Sequence, residues 1–201
     1  MRRRTFDALA TVAGLILAAV LLVAGVLLTW GHSFVNNEVA SQLSAQKIEF
    51  PTTTSPGFKA LPKADQAAMG SYAGQLMTNG AQAETYADHF IAVHLKEIGG
   101  GGTYSQLSAE AMALPPTSKQ YAALEAQVQT VFRGDTLRSM LLNAYGFWKM
   151  GQIAFIAAIV SYAAAGLLLI LSCLGFVHLR RTAPEAEIMP TIARRVHVDA
   201  S

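Results

Sequence analysis

The chain has a single cysteine, Cys173, so no disulfide can form within it and its fold must rest on packing and hydrogen bonds. Charge is scarce too, since only 14% of the 201 residues are Asp, Glu, Lys or Arg against 52% hydrophobic. The scarcity is uneven: two stretches, 9–30 and 151–179, contain none of these four residue types and no proline. Chemical motifs are absent as well. There is no Gly-x-Ser-x-Gly, and the run Gly99, Gly100, Gly101, Gly102 continues into Thr103 and Tyr104 rather than the Lys-Ser/Thr of a phosphate loop. No β-branched alternation runs through residues 31–150, which argues against a sheet.

The two uncharged stretches are long enough to cross a bilayer, which takes about 20 apolar residues as a helix. The first follows three arginines and looks at its start like a secretory signal. Its apolarity persists for ~22 residues, beyond the 7–15 of a signal core, and Gly31-His32-Ser33 is a poor cleavage site, so an uncleaved signal anchor is expected. Arg2, Arg3 and Arg4 precede the first stretch, while Arg180, Arg181, Arg194 and Arg195 follow the second. Positive flanks of this kind stay on the cytoplasmic side. Trp30 closes the first stretch and Tyr145, Phe147 and Trp148 precede the second, as aromatics do at the opposite membrane surface. The expectation is an all-α membrane protein in the plasma membrane, multi-pass, with both termini cytoplasmic. A basic arm (1–8), a first transmembrane helix (9–30), a helical extracytoplasmic domain (31–150), a second transmembrane helix (151–179) and a cytoplasmic tail (180–201) make up the chain.

Small residues recur at helical spacing in both spans. Ala10, Gly14, Ala18, Gly25 and Thr29 line one face of the first; Ala154, Ala158, Ser161, Ala165 and Ser172 line one face of the second. Gly14, Ala18, Gly25, Ala154, Ala158, Ser161 and Ala165 are therefore expected to pack the helices on each other.

Between the spans, Val35, Val39 and Leu43 continue the first helix outward until Pro51. Pro62 opens a helix over 63–77. Asn79 with Gln82 reads as a capping box for a helix over 80–98, ended by the four glycines. Thr103 with Gln106 opens a short helix over 104–114, and Thr117 with Gln120 opens a longer one after Pro115 and Pro116. Tyr121, Leu124, Val128 and Val131 form its core stripe. Arg133, Gly134 and Asp135 are expected to bend the chain before the last helix enters the membrane.

Glu84, Asp88, His89, His94 and Glu97 share one expected helix and use the vocabulary of metal sites. His89 and His94 are five residues apart, about 140° around a helix, so they do not face one ion. No metal, no cofactor and no catalytic residue is assigned. The middle segment carries eight Lys/Arg (47, 59, 63, 96, 119, 133, 138, 149) and nine Asp/Glu, which leaves no basic face for nucleic acid.

The passages 83–99 (AETYADHFIAVHLKEIG), 131–151 (VFRGDTLRSMLLNAYGFWKMG) and the start MRRRTFDALATVAG resemble small two-span membrane proteins of actinobacteria. The resemblance implies a bacterial plasma-membrane setting and carries over no catalytic residue. The label of aromatic ring-opening dioxygenase associated with such proteins would require an iron held by histidines and a carboxylate, which the spacing above does not provide.

The functional expectation is a non-enzymatic accessory or interaction protein of the cell envelope, in contact with the lipid bilayer and with an envelope protein partner or a second copy in a homo-oligomer. The alternative is a sensory or ligand-binding input module. Its output would need a separate partner, because the tail after Leu179 has about 22 residues, broken by Pro184 and Pro190. Tyr104, Gln106 and Leu107, on the short helix after the glycines, are the expected interaction residues.

Overall fold

A computed structural model of the chain describes residues 3–181. The start of the basic arm and the tail from residue 182 lie outside the described residues. The protein is 82% helical without strands among the described residues, and two of its helices are long and apolar enough to cross a membrane. In chain order the elements are α1 (Arg3–Ala45), α2 (Pro56–Ala60), α3 (Lys63–Gly70), α4 (Gly80–Tyr86), a π-helical segment (Ala87–Ile91), α5 (Ala92–Ile98), α6 (Tyr104–Met112) and α7 (Lys119–Arg181). They form two compact units. One takes the described residues up to Thr29 and from Phe155 on; the other is Trp30–Ala154.

The first unit is an antiparallel pair of helical stretches from α1 and α7. Thr11, Ala18 and Gly25 are buried at seven-residue spacing on one helix, and Ala158, Ala165 and Ser172 at the same spacing on the other. Gly14, Leu21 and Leu28, with Ser161, Leu168 and Gly175, fill the half-buried positions between. This three-four alternation averages 3.5 residues, the repeat of a left-handed coiled-coil seam. At the start of the helix the seam turns Ala10 outward and Thr11 inward, while Gly14, Ala18 and Gly25 of the stripe expected above lie on it. Glycines let the helices touch. A methyl group on Gly14 would lie 2.5 Å from the Ser172 hydroxyl, and one on Gly175 would lie 2.7 Å from that of Thr11. At Gly25 the added atom would meet the Tyr162 ring at 2.6 Å, and the Tyr162 hydroxyl lies 3.1 Å from that of Thr29.

The second unit wraps short helices around the inner portions of the same two long helices. Its main core joins Val39 and Leu43 of α1, Phe50, Phe58, Leu61, Met69 and Met77 from the following loops and helices, Ala83, Ala87 and Ile91, and Leu141 of α7. A smaller cluster lies apart, with Leu107 and Ala111 of α6 on Val128 and Val131 of α7. The stripe read from the sequence thus fills a satellite core rather than the main one.

Several boundaries differ from the expected ones. α1 stops at Ala45, before Pro51, because Lys47 takes a left-handed conformation (φ 52°) that no helix continues through. Ser55 caps an extra helix, α2, which buries Phe58. α3 ends at Gly70 rather than Met77: residues 48–50 and 74–77 pair instead, with Met77 N–H donating to Ile48 O (2.8 Å) and Phe50 N–H to Gln75 O (2.9 Å). That bridge buries Phe50 and Met77 together, which outweighs a few residues of helix propensity. Gln82 reaches back to the Thr78 N–H (2.7 Å), while Asn79 accepts the N–H of Gln82. Ser118, not Thr117, caps α7, accepting the Tyr121 N–H at 3.0 Å. Thr103 and Gln106 form the full capping box.

The expected bend at 133–135 is absent, and α7 runs unbroken through it. Gly134 is there for space, since the Leu95 side chain occupies the volume its missing methyl would fill. Gly146, on the same helix, has nothing within 4 Å. The two glycines therefore respond oppositely to alanine. Gly146→Ala is expected to raise stability by up to about 1 kcal/mol through helix propensity, whereas Gly134→Ala lowers it by about 1–3 kcal/mol through overpacking. Thermal melts of the detergent-solubilised full chain followed by circular dichroism check the sign of each.

Candidate functional site

The helix expected over 80–98 is interrupted by the π-helical segment, where the Ala92 N–H donates to the Ala87 carbonyl five residues back. Such a turn carries one residue more than an α-helical turn and shifts the register of the side chains that follow it. Asp88 faces α7, where its carboxylate accepts from Arg138 (2.7 Å), and His89 faces α3, where Nδ1 lies 2.7 Å from Asp65 Oδ1. His94 turns its own Nδ1 to the Phe90 carbonyl (2.7 Å) and its ring to the Phe90 ring at 4.4 Å. Three of the five polar residues that read as a possible metal cluster, Asp88, His89 and His94, are thus engaged with different neighbours. Among the described residues no three His, Cys, Asp or Glu side chains converge on a point. The π turn joins three helices through the Asp88–Arg138 ion pair and the His89–Asp65 contact, each partly open to solvent and worth at most about 1 kcal/mol.

The α6 residues are placed unequally. Leu107 is 5% exposed and belongs to the satellite core, which corrects its expected role as a surface contact. Gln106 has its side chain engaged in the cap, accepting from both the N–H and the hydroxyl of Thr103. Tyr104 and Gln106 are both exposed, and the Tyr104 ring lies 5.5 Å from that of Phe132. The glycines before α6 form a closed turn rather than a loose one. Gly100 and Gly101 have positive φ (57° and 87°), and Gly101 N–H caps the Lys96 carbonyl at 2.8 Å.

Of the small seam residues, Ala18, Gly25, Ala158 and Ala165 are buried, and Gly14, Ala154 and Ser161 are half-buried. Thr11 and Gly175 were missed by the sequence reading, although each lies three residues from a small residue of the stripes, Gly14 and Ser172, a spacing visible once a 3.5-residue repeat is applied.

The feature with room for another molecule on the second unit is a groove of about 520 Å³ between α1 and α7. Its floor is the buried Val39, Leu43 and Leu141. One edge is the four-spaced row Phe34, Glu38, Gln42, Gln46; the other is Met140, Asn143 and Phe147. Phe34, Met140 and Phe147 are 55%, 62% and 57% exposed, whereas Phe50 and Phe58 of the same unit are buried. Gln42 donates to Glu38 at 2.6 Å, so the polar rim is ordered. At one end of this unit His32 Nδ1 lies 2.9 Å from the Gly151 carbonyl, and Gln152 donates to Asn36 at 3.2 Å. Glu38 is the one ionisable side chain among the residues that line the groove.

No family model, no curated protein and no solved structure matches the chain.

Burial pushes the Tyr86 phenol above its ordinary 10.0. A raised phenol pKa leaves stability intact below pH about 10, where the unfolded side chain ionises, and removes it as pH climbs through the folded value. Tyr86→Phe is expected to flatten that alkaline loss, measured as melting temperature between pH 8 and 11 (range chosen about the free phenol value).

Proposed function

We propose that the protein is a membrane-anchored, non-enzymatic interaction protein of the bacterial cell envelope, with Trp30–Ala154 outside the plasma membrane and both termini in the cytoplasm. The observation that carries the membrane placement is exposure. In the most apolar windows of α1 and α7 only 17% and 11% of the residues are buried, so Ile16, Val23, Val26, Ile156, Val160 and Ile170 point outward. The core helix of a water-soluble protein would bury such residues at about 1.5–3 kcal/mol each; lipid accepts them without cost. Aromatic and arginine flanks support the orientation.

The groove supports the interaction role. Its edges are rows of side chains at three- and four-residue spacing, which accept the ridge of a third helix, and its polar rim over an apolar floor suits an amphipathic helix of an envelope partner. A sensory input role is the second reading, favoured by the absence of any break in the 43-residue α1 and the 63-residue α7.

Topology is read by impermeant thiol labelling after Cys173→Ala. Met112→Cys, on a 78% exposed residue, is expected to label in intact cells, and Ala183→Cys only after permeabilisation. Labelling of Ala183→Cys in intact cells rejects the placement. For the groove, a photo-crosslinking residue at Gln42 is expected to give one discrete adduct, lowered about tenfold or more by Phe147→Asp. An adduct of twice the chain mass identifies a second copy as the occupant instead. No adduct, or one indifferent to Phe147→Asp, rejects the groove.

A further inference from the structure

The first unit has its own cavity, of about 440 Å³, at the arginine-bearing end of the helix pair. Asp7 and Thr11 of α1 and Ser172 and His178 of α7 supply its polar wall, and Leu168, Leu171 and Leu174 lie along it. Thr11 and Ser172 are seam residues, 7% and 5% exposed, and the Thr11 hydroxyl is spent on the Asp7 carbonyl at 2.8 Å. The Asp7 carboxylate is different. Its Oδ2 is buried and accepts no hydrogen bond; His178 Nε2 stands 3.9 Å away, within ion-pair distance but beyond hydrogen-bond reach. Arg180 does not turn to it, since its guanidinium lies over the Phe176 ring at 4.5 Å.

A carboxylate oxygen is an acceptor only, and leaving one buried without a donor costs more than forming the bond returns. A group that fills this place donates an N–H or O–H, gains most from the carboxylate if it is cationic, and must be small enough to enter beside Gly14 and Gly175. An apolar wall leading from it calls for a hydrocarbon continuation of the same molecule. These requirements coincide in a primary-ammonium amphiphile. We propose that this cavity binds the ammonium head of an ethanolamine phospholipid, with Asp7 Oδ2 accepting from the ammonium and an acyl chain lying along the leucines. A choline headgroup meets the charge requirement and fails the other, because its nitrogen has no hydrogen to donate. The proposal rests on the membrane placement above, without which the leucine wall would face water.

The test uses the full chain reconstituted in vesicles of equal phosphatidylethanolamine and phosphatidylcholine, floated on a density gradient, then released and weighed by native mass spectrometry. Retained ethanolamine lipid is expected to exceed choline lipid about fivefold, near the strength of one charge-assisted hydrogen bond. Asp7→Asn keeps the shape but not the charge and is expected to bring the ratio to parity. Ala10→Phe keeps Asp7 and fills the cavity from the exposed side of the helix, so it should lower both lipids together. Circular dichroism of each variant confirms that the helices persist; if Asp7→Asn unfolds, Ala10→Phe alone decides. Equal retention of the two lipids by the native chain overturns the proposal, as does an ethanolamine excess that survives both substitutions. Loss of the excess on adding free ethanolamine or magnesium at millimolar concentration also overturns it, by showing a site for any small cation. A chain that fails to float with the vesicles rejects the membrane placement itself and this inference with it, whereas one that floats without preference rejects this inference only.

Discussion

One device recurs wherever the two long helices are held closely: a side chain seated in the space a glycine leaves open. In the helix pair, Ser172 sits on Gly14, Thr11 on Gly175 and Tyr162 on Gly25. In the other unit, Leu95 sits on Gly134 and Trp148 on Gly80, while Val35 lies against Gly151 at a relaxed 3.4 Å. Dispersion forces fall off so steeply that a gap of half an ångström to one ångström forfeits a quarter to a half of the attraction, about what one interposed methyl would impose. With one cysteine and few charges, the chain has little else to fasten its helices. The same device holds apolar, hydroxyl-bearing and aromatic partners, so the notch rather than the chemistry of what fills it sets the helix spacing.

Polar side chains are used locally. Thr11, Thr29, Thr130 and Thr136 each donate to the carbonyl four residues back, and Gln66 donates to the Leu61 and Lys59 carbonyls that α2 leaves open. Hydroxyls satisfied within their own helix can sit in an apolar seam without penalty. Longer polar reach comes from the π turn, where Asp88 and His89 diverge, from Gln127, which donates to the Ile98 carbonyl at the end of α5, and from the contacts of His32 with Gly151, Gln152 with Asn36 and Thr29 with Tyr162. The second unit is therefore tied by a few side-chain bonds at its corners and by hydrocarbon at its centre.

What could be read from the sequence was whatever depends on composition over a window or on spacing within one helix. The two apolar helices, the Thr103 and Asn79 caps and the glycine stop after Ile98 are of this kind. What depends on a distant neighbour was not legible. Nothing local to Gly70 announces that the next residues will pair with 48–50, and Gly134 signals a bend as readily as a notch until Leu95 is placed over it. The π turn left no mark in the hydrophobic pattern, because Ala83, Ala87 and Ile91 keep a four-residue spacing whether or not a residue is inserted. The groove escaped for the same reason, since Phe34 and Phe147 are distant in sequence and each, alone, is an unremarkable exposed aromatic. Leu107 was misjudged because a short helix after a flexible-looking turn suggests an open surface, yet that helix rests on a core of its own.

The two tryptophans stand in unlike surroundings. Trp148 is seated on Gly80 beside Tyr145, its ring enclosed by the packing of the second unit, whereas Trp30 is 66% exposed and stacks on Phe34 at 5.6 Å. The chain consequently carries a built-in pair of optical probes. The emission wavelength of Trp148 follows the integrity of the unit around it, and quenching of Trp30 by brominated acyl chains or by aqueous iodide distinguishes lipid from water at that ring, with no foreign label attached.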